Sequence, residues 1–102
     1  MIKSEIKNNT AIITLNRLEK RNALHPLMVE QLKAKLVEYD KDDLVKSLIL
    51  TGEGNTFCAG ADLEYLQQIF NNSTLENFED SKSLAELFLM IYEFSKPTIA
   101  AV

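Results

Sequence analysis

The run Phe57-Cys58-Ala59-Gly60-Ala61-Asp62-Leu63 is the part of this sequence best suited to chemistry. A glycine-bearing turn that leads into a helix leaves several main-chain N–H groups without partners inside that helix. In the segment Ala59 to Asp62 such groups would point toward one place, with the positive end of the helix dipole behind them. That arrangement suits an anion, or a carbonyl oxygen that is gaining negative charge. Small side chains at Ala59 and Ala61 would let a ligand lie against the main chain. A plain strand–loop–helix junction would leave the same pattern, so the residues alone keep both readings open.

Other reactive side chains have structural roles available. Cys58 is the single cysteine. It has no basic neighbour in sequence to lower its pKa, which favours an inert, buried thiol over a nucleophile. Asp62 could be a general base, but the first position of a helix favours a cap. His25, the single histidine, stands directly before Pro26, where an N-cap or the residue before it belongs. Glu76, Glu79, Asp80 and Glu86 fall on polar helix faces and are expected to be solvated. One cysteine and one histidine leave no Cys- or His-based metal site. Phosphate-loop, dinucleotide-fingerprint and nucleophile-elbow patterns are absent from the sequence. Arg17, Lys20 and Arg21 form the densest basic group, which could meet a phosphate; a solvated loop is the commoner role.

Length and charge bound the rest. At 102 residues, 46% hydrophobic and 25% charged, the chain suits one small soluble domain. A net charge of −4 argues against a nucleic-acid partner. No stretch approaches the roughly 18 apolar residues of a membrane span. The first residues lack the pattern of a secretory signal, so the cytoplasm is the expected location.

The elements that must position the Phe57–Leu63 run follow from pattern. Ile2 to Lys7 and Thr10 to Leu15 read as two strands around an Asn8-Asn9 turn, a hairpin. Asn16 to Leu24 is a polar loop. Pro26 opens a helix to about Asp40, with Met28, Leu32, Lys35 and Leu36 on the helical period. Val45 to Thr51 holds the apolar run of a buried parallel strand. The loop from Gly52 to Ala61 contains all three glycines, which suggests unusual backbone angles or a close approach. A helical pattern runs from Asp62 to Phe70 and is broken at Asn71-Asn72-Ser73. A longer helix opens at Thr74, with Leu84, Leu87, Phe88 and Ile91 as its apolar stripe. Lys96-Pro97 stops it, and Thr98 to Val102 is a further buried strand. The order β, β, α, β, α, α, β is that of an α/β domain with a parallel or mixed sheet. Ending in a strand suggests a piece of a larger domain.

Four segments together resemble the crotonase (enoyl-CoA hydratase/isomerase) superfamily. Ala11 to Arg17 is similar to that family's first strand pair, and Lys20-Arg21-Asn22-Ala23-Leu24 to its Asn-Ala-Leu motif. Phe57 to Leu63 is similar to its most diagnostic element. Lys96 to Val102 is similar to the strand before its second glycine-rich loop. The resemblance covers essentially the whole chain. It implies the N-terminal part of a crotonase-like spiral of β-β-α units, with residues 1–102 as one fragment of a single domain that stops before the second half of the site.

The resemblance also implies a coenzyme A thioester as substrate, with no covalently bound cofactor. The Ala61 N–H would form half of an oxyanion hole for the enolate oxygen. Lys20, Arg21, Ala23, Leu24, Ala59, Gly60, Asp62 and Leu63 would lie along the CoA, with Lys20 and Arg21 by its phosphates. Leu18 departs from the family, which often has proline there. The second oxyanion donor and the acid/base glutamates match nothing in residues 1–102. The parent is expected to hydrate a short or branched enoyl-CoA and to be a homo-oligomer, a trimer or dimer of trimers. Isomerisation or decarboxylation are alternatives, as is a short homologue that binds acyl-CoA or a protein without chemistry.

Overall fold

The computed structural model describes residues 1–60 and 74–102. The helical pattern read from Asp62 to Phe70, and its break at Asn71-Asn72-Ser73, lie outside the described residues.

Strands β1 (Ile2–Lys7) and β2 (Thr10–Leu15) pair antiparallel, from Ile2 opposite Leu15 to Lys7 opposite Thr10. Asn8 and Asn9 have φ of 52° and 65°. Two successive left-handed residues match the twist of a tight hairpin, and asparagine tolerates that conformation better than most residues. Along β2 the side chains alternate: Ala11, Ile13 and Leu15 are buried, while Thr10, Ile12 and Thr14 are half-buried.

Helix α1 (Pro26–Lys41) begins as its sequence requires. His25 is the N-cap, and its Nδ1 accepts from the Leu27 N–H at 3.1 Å. Met28, Val29, Leu32, Leu36 and Tyr39 are buried and form a core with Ala11, Ile13, Leu15, Val45, Leu48 and Leu87. Lys35 lies at the edge of that stripe, its Nζ 5.6 Å from the centre of the Tyr39 ring. The far end of α1 is closed from outside: Lys96 Nζ donates to the carbonyl oxygens of Tyr39 and, at 2.6 Å, of Asp42. A cation there meets the negative end of the helix dipole.

Strand β3 (Ser47–Gly52) runs parallel to β2, with Ala11 opposite Leu48 and Ile13 opposite Leu50. Helix α2 (Thr74–Tyr92) packs on α1, and β4 (Thr98–Ala101) adds parallel to β3. The sheet order is β1-β2-β3-β4, so the domain is α/β with a mixed sheet. Lys33 ties the two helices together. Its side chain is 13% exposed and donates to Ser83 Oγ at 2.7 Å and Glu86 Oε2 at 3.2 Å.

Two sequence expectations are corrected. Phe88 does not share the core stripe of α2: Leu87 is buried and Leu84 and Ile91 pack against the core, but Phe88 is 55% exposed. At 100° per residue it turns toward an outer stripe with Phe78, Leu89 and Tyr92, all exposed. Strand β4 is not buried either; Ile99, Ala100 and Ala101 are exposed. The register places Ile12, Ile49 and Ile99 in one row across the sheet, on the face away from α1.

Candidate functional site

Two loops meet at the end of the sheet where β2 and β3 finish. The first runs from Asn16 to Leu24. It contains a short 3-10 turn, Leu18–Lys20, followed by Arg21 and Asn22 in the left-handed region, with φ of 52° and 59°. The Arg17 carbonyl accepts from the N–H groups of both Lys20 and Asn22, at 3.1 and 2.9 Å. Leu18 lies at the start of this turn.

Arg17 and Asn22 are not ordinary polar loop residues. Asn22 is 0% exposed and Arg17 7%. The Asn22 Oδ1 accepts from the Arg17 N–H at 2.8 Å, and its Nδ2 donates to the carbonyls of Glu53 at 3.0 Å and Thr56 at 2.7 Å. Arg17 Nη1 donates to the Ala23 carbonyl at 3.0 Å. The basic group read from the sequence therefore splits. Arg17 is built into the loop, Arg21 is exposed and Lys20 is half-buried.

The second loop follows β3. A Cβ on Gly52 would stand 2.5 Å from the Phe57 carbonyl oxygen and 2.8 Å from the Phe57 Cα. Glycine lets the loop fold back onto the end of the strand. Gly60 has a φ of 92°, and a Cβ there would meet nothing within 4 Å; this glycine serves backbone conformation. Cys58 packs partly against the core, and its Sγ accepts from the Gly60 N–H at 3.5 Å.

The loops are joined through their main chains. The Leu24 N–H donates to the Gly60 carbonyl at 2.7 Å, and the Ala59 N–H donates to the Arg21 carbonyl at 3.1 Å. Lys20, Arg21, Ala23 and Leu24 are thereby brought beside Ala59 and Gly60. Ala61, Asp62 and Leu63 lie outside the described residues. Ala23 is buried, with its N–H committed to the Lys20 carbonyl. The Ala59 and Gly60 N–H groups are engaged within the chain, which corrects the expectation that both would point outward.

Asp40 lies at the other end of α1. Its carboxyl is held below the ordinary carboxylate range, first by the Ser95 hydroxyl and then by the Ser95 N–H, with the Lys96 charge assisting against a small burial effect. A groove of about 210 Å³ there is lined in part by Val37, Asp40, Met90 and Phe94. It lies away from both loops. Among the described residues no group of three or more His, Cys, Asp or Glu could hold a metal ion, and no helix is long and apolar enough to cross a membrane.

Residues 5–102 match the model of a family described as enoyl-CoA hydratase/isomerase. The chain belongs to that family. A Thermus thermophilus relative bearing an enoyl-CoA hydratase name is 41% identical over 96 residues, covering 94% of this chain and 38% of that one. The hydroxycinnamoyl-CoA hydratase-lyase of Pseudomonas fluorescens is 31% identical over 103 residues, covering 99% and 37%. An enoyl-CoA hydratase structure from Polaromonas sp. JS666 superposes with a TM-score of 0.94 at 34% identity, covering 99% of this chain and 39% of that one. This enoyl-CoA hydratase/isomerase chain thus spans less than two-fifths of the length of these relatives. The motif-based reading found the two loops; it missed Arg17 and Asn22 as the buried links. Their signal was faint. It consisted of an asparagine, tolerant of left-handed φ, set directly before the apolar pair Ala23-Leu24.

Proposed function

We propose that these residues supply the coenzyme A loops and one oxyanion donor of an enzyme that adds water across the double bond of a short or branched enoyl-CoA. The observation that carries this reading is the main-chain pairing of the two loops, Leu24 to Gly60 and Arg21 to Ala59. It sets Lys20 and Arg21, cations suited to phosphates, beside the glycine turn that leads to Ala61. The Ala61 N–H then binds the thioester oxygen as it becomes an enolate. Ala23, Leu24, Ala59, Gly60, Asp62 and Leu63 line the pantetheine and adenine. Isomerases, decarboxylases and hydratase-lyases use the same enolate, and their acid and base groups decide between them. On this proposal the 102 residues bind a CoA thioester without turning it over, as one wall of a site within a single domain. The complete enzyme is a soluble cytoplasmic homo-oligomer.

Calorimetric titration of the chain with CoA and with a short enoyl-CoA tests the reading. Saturable binding of both is expected, weakened by Arg21→Glu and by salt. No saturable binding to either compound would overturn it. In a longer protein carrying these residues, Ala61→Pro removes the proposed donor and is expected to lower turnover by about 10²- to 10³-fold.

A further inference from the structure

We infer that Asn22 is a positioning residue, whose carboxamide fastens the loop carrying Lys20 and Arg21 to the loop carrying Ala59 and Gly60. The second half of its role, setting where a CoA thioester is held, rests on the function proposed above. The side chain is fully buried and bonded at both ends. Its oxygen takes the Arg17 N–H on its own loop, and its nitrogen spends both protons on the opposite loop, at Glu53 and Thr56. Only a primary amide offers an acceptor and two donors in one short planar group. A carboxylate of the same size would set oxygens against two carbonyls, and an apolar side chain would leave three main-chain groups unpaired.

Position matters as much as satisfaction. Asn22 stands between Arg21 and Leu24, whose main chains hold Ala59 and Gly60. Thr56 stands just upstream of that same pair. The carboxamide and the two main-chain bonds therefore form one continuous seam, with the buried side chain at its inner end. The left-handed φ of 59° at Asn22 aims the side chain inward, and Asn or Asp adopts that angle most readily.

The test uses Asn22→Asp, which keeps size and backbone tolerance but removes both donors, with Leu36→Ala as a core variant remote from the seam. Amide exchange without ligand is expected to quicken at Leu24 and Ala59 by about tenfold or more, the equivalent of one or two lost buried hydrogen bonds. Exchange at Ile13 and Leu50 in the sheet stays within twofold. Affinity for CoA falls by about tenfold in Asn22→Asp and stays within twofold in Leu36→Ala, measured where both are folded. Unchanged exchange at Leu24 and Ala59, or an equal rise throughout the sheet, would overturn the inference. So would equal CoA affinity of Asn22→Asp and the unaltered chain. If the unaltered chain binds no CoA while exchange behaves as described, the proposed function fails and the fastening role stands. Should Asn22→Asp not fold, Asn22→Ser is read in the same way.

Discussion

The Leu24 N–H donates to the Gly60 carbonyl at 2.7 Å, although a helix and a strand separate them along the chain. The peptide after Leu24 enters α1 through its His25 cap, and the peptide before Gly60 folds back over the end of β3. One hydrogen bond therefore ties the start of the first crossover to the start of the second. Gly60 itself has a φ of 92° with open space around its Cβ position. Gly60→Ala is expected to destabilise by about 1–2 kcal/mol through backbone strain alone. Urea denaturation would measure this, with an unchanged midpoint counting against the strain.

Gly52→Ala should be the more damaging of the two. The new methyl would collide with backbone atoms of Thr56 and Phe57, none of which can rotate away. A loss of about 1–3 kcal/mol is expected. The loop must also move, so CoA affinity falls with stability. Equal urea midpoints for the two glycine variants would contradict the close packing described for Gly52.

Lys96→Met removes the ammonium from the carbonyls of Tyr39 and Asp42 but keeps most of the apolar stem. The expected cost is about 1–2 kcal/mol. Amide exchange should quicken over the last turn of α1 and leave the hairpin unaffected. Uniform loosening of both would show that Lys96 acts on the whole domain rather than on one helix end.

The Asp40 carboxyl is bonded to the Ser95 hydroxyl and, at 3.1 Å, to the Ser95 N–H. Its folded pKa is depressed, so its contribution is present above the unfolded value of about 3.9 and is lost as pH falls through the folded value. Asp40→Asn should therefore be slightly less stable than the unaltered chain at pH 7. The gap should close as the solution is taken below about pH 4. Because the group is exposed, the gap is small. Thermal melts across pH 2–7 would check the sign; a gap that widens in acid contradicts it.

Much of this fold was legible because local chemistry and tertiary structure agree. Asn8-Asn9 tolerates the left-handed angles of a tight hairpin, His25-Pro26 caps and opens α1, and the run Leu48-Ile49-Leu50 lies in a strand paired on both sides, although only Leu48 is buried and Ile49 and Leu50 are half-buried rather than buried as expected. The glycine-rich segment after β3 announced a special backbone for a sound reason, since Gly52 permits a close approach and Gly60 a positive φ. What failed was long-range. Asn22 stood out only through the Asn-Ala-Leu resemblance, which named no role for its side chain; its donors go to Glu53 and Thr56, and no local pattern encodes that distance. Phe88 was misplaced because α2 is apolar on two sides, and periodicity does not say which side faces a core. The outward N–H groups expected at Ala59 and Gly60 are taken by Arg21 and Cys58, which only the folded loops reveal.

The row Ile12, Ile49 and Ile99 gives the sheet a second temperament. Covering such a surface, by whatever means, releases water from apolar groups and lowers the heat capacity of the system. An association at that face should strengthen on modest warming and hold in concentrated sulfate. Contacts through Lys20 and Arg21, on the loop at the end of the sheet, should weaken as ions are added. Calorimetry at several temperatures and ionic strengths would thus distinguish the isoleucine face of the sheet from the loops at its end by their opposite responses.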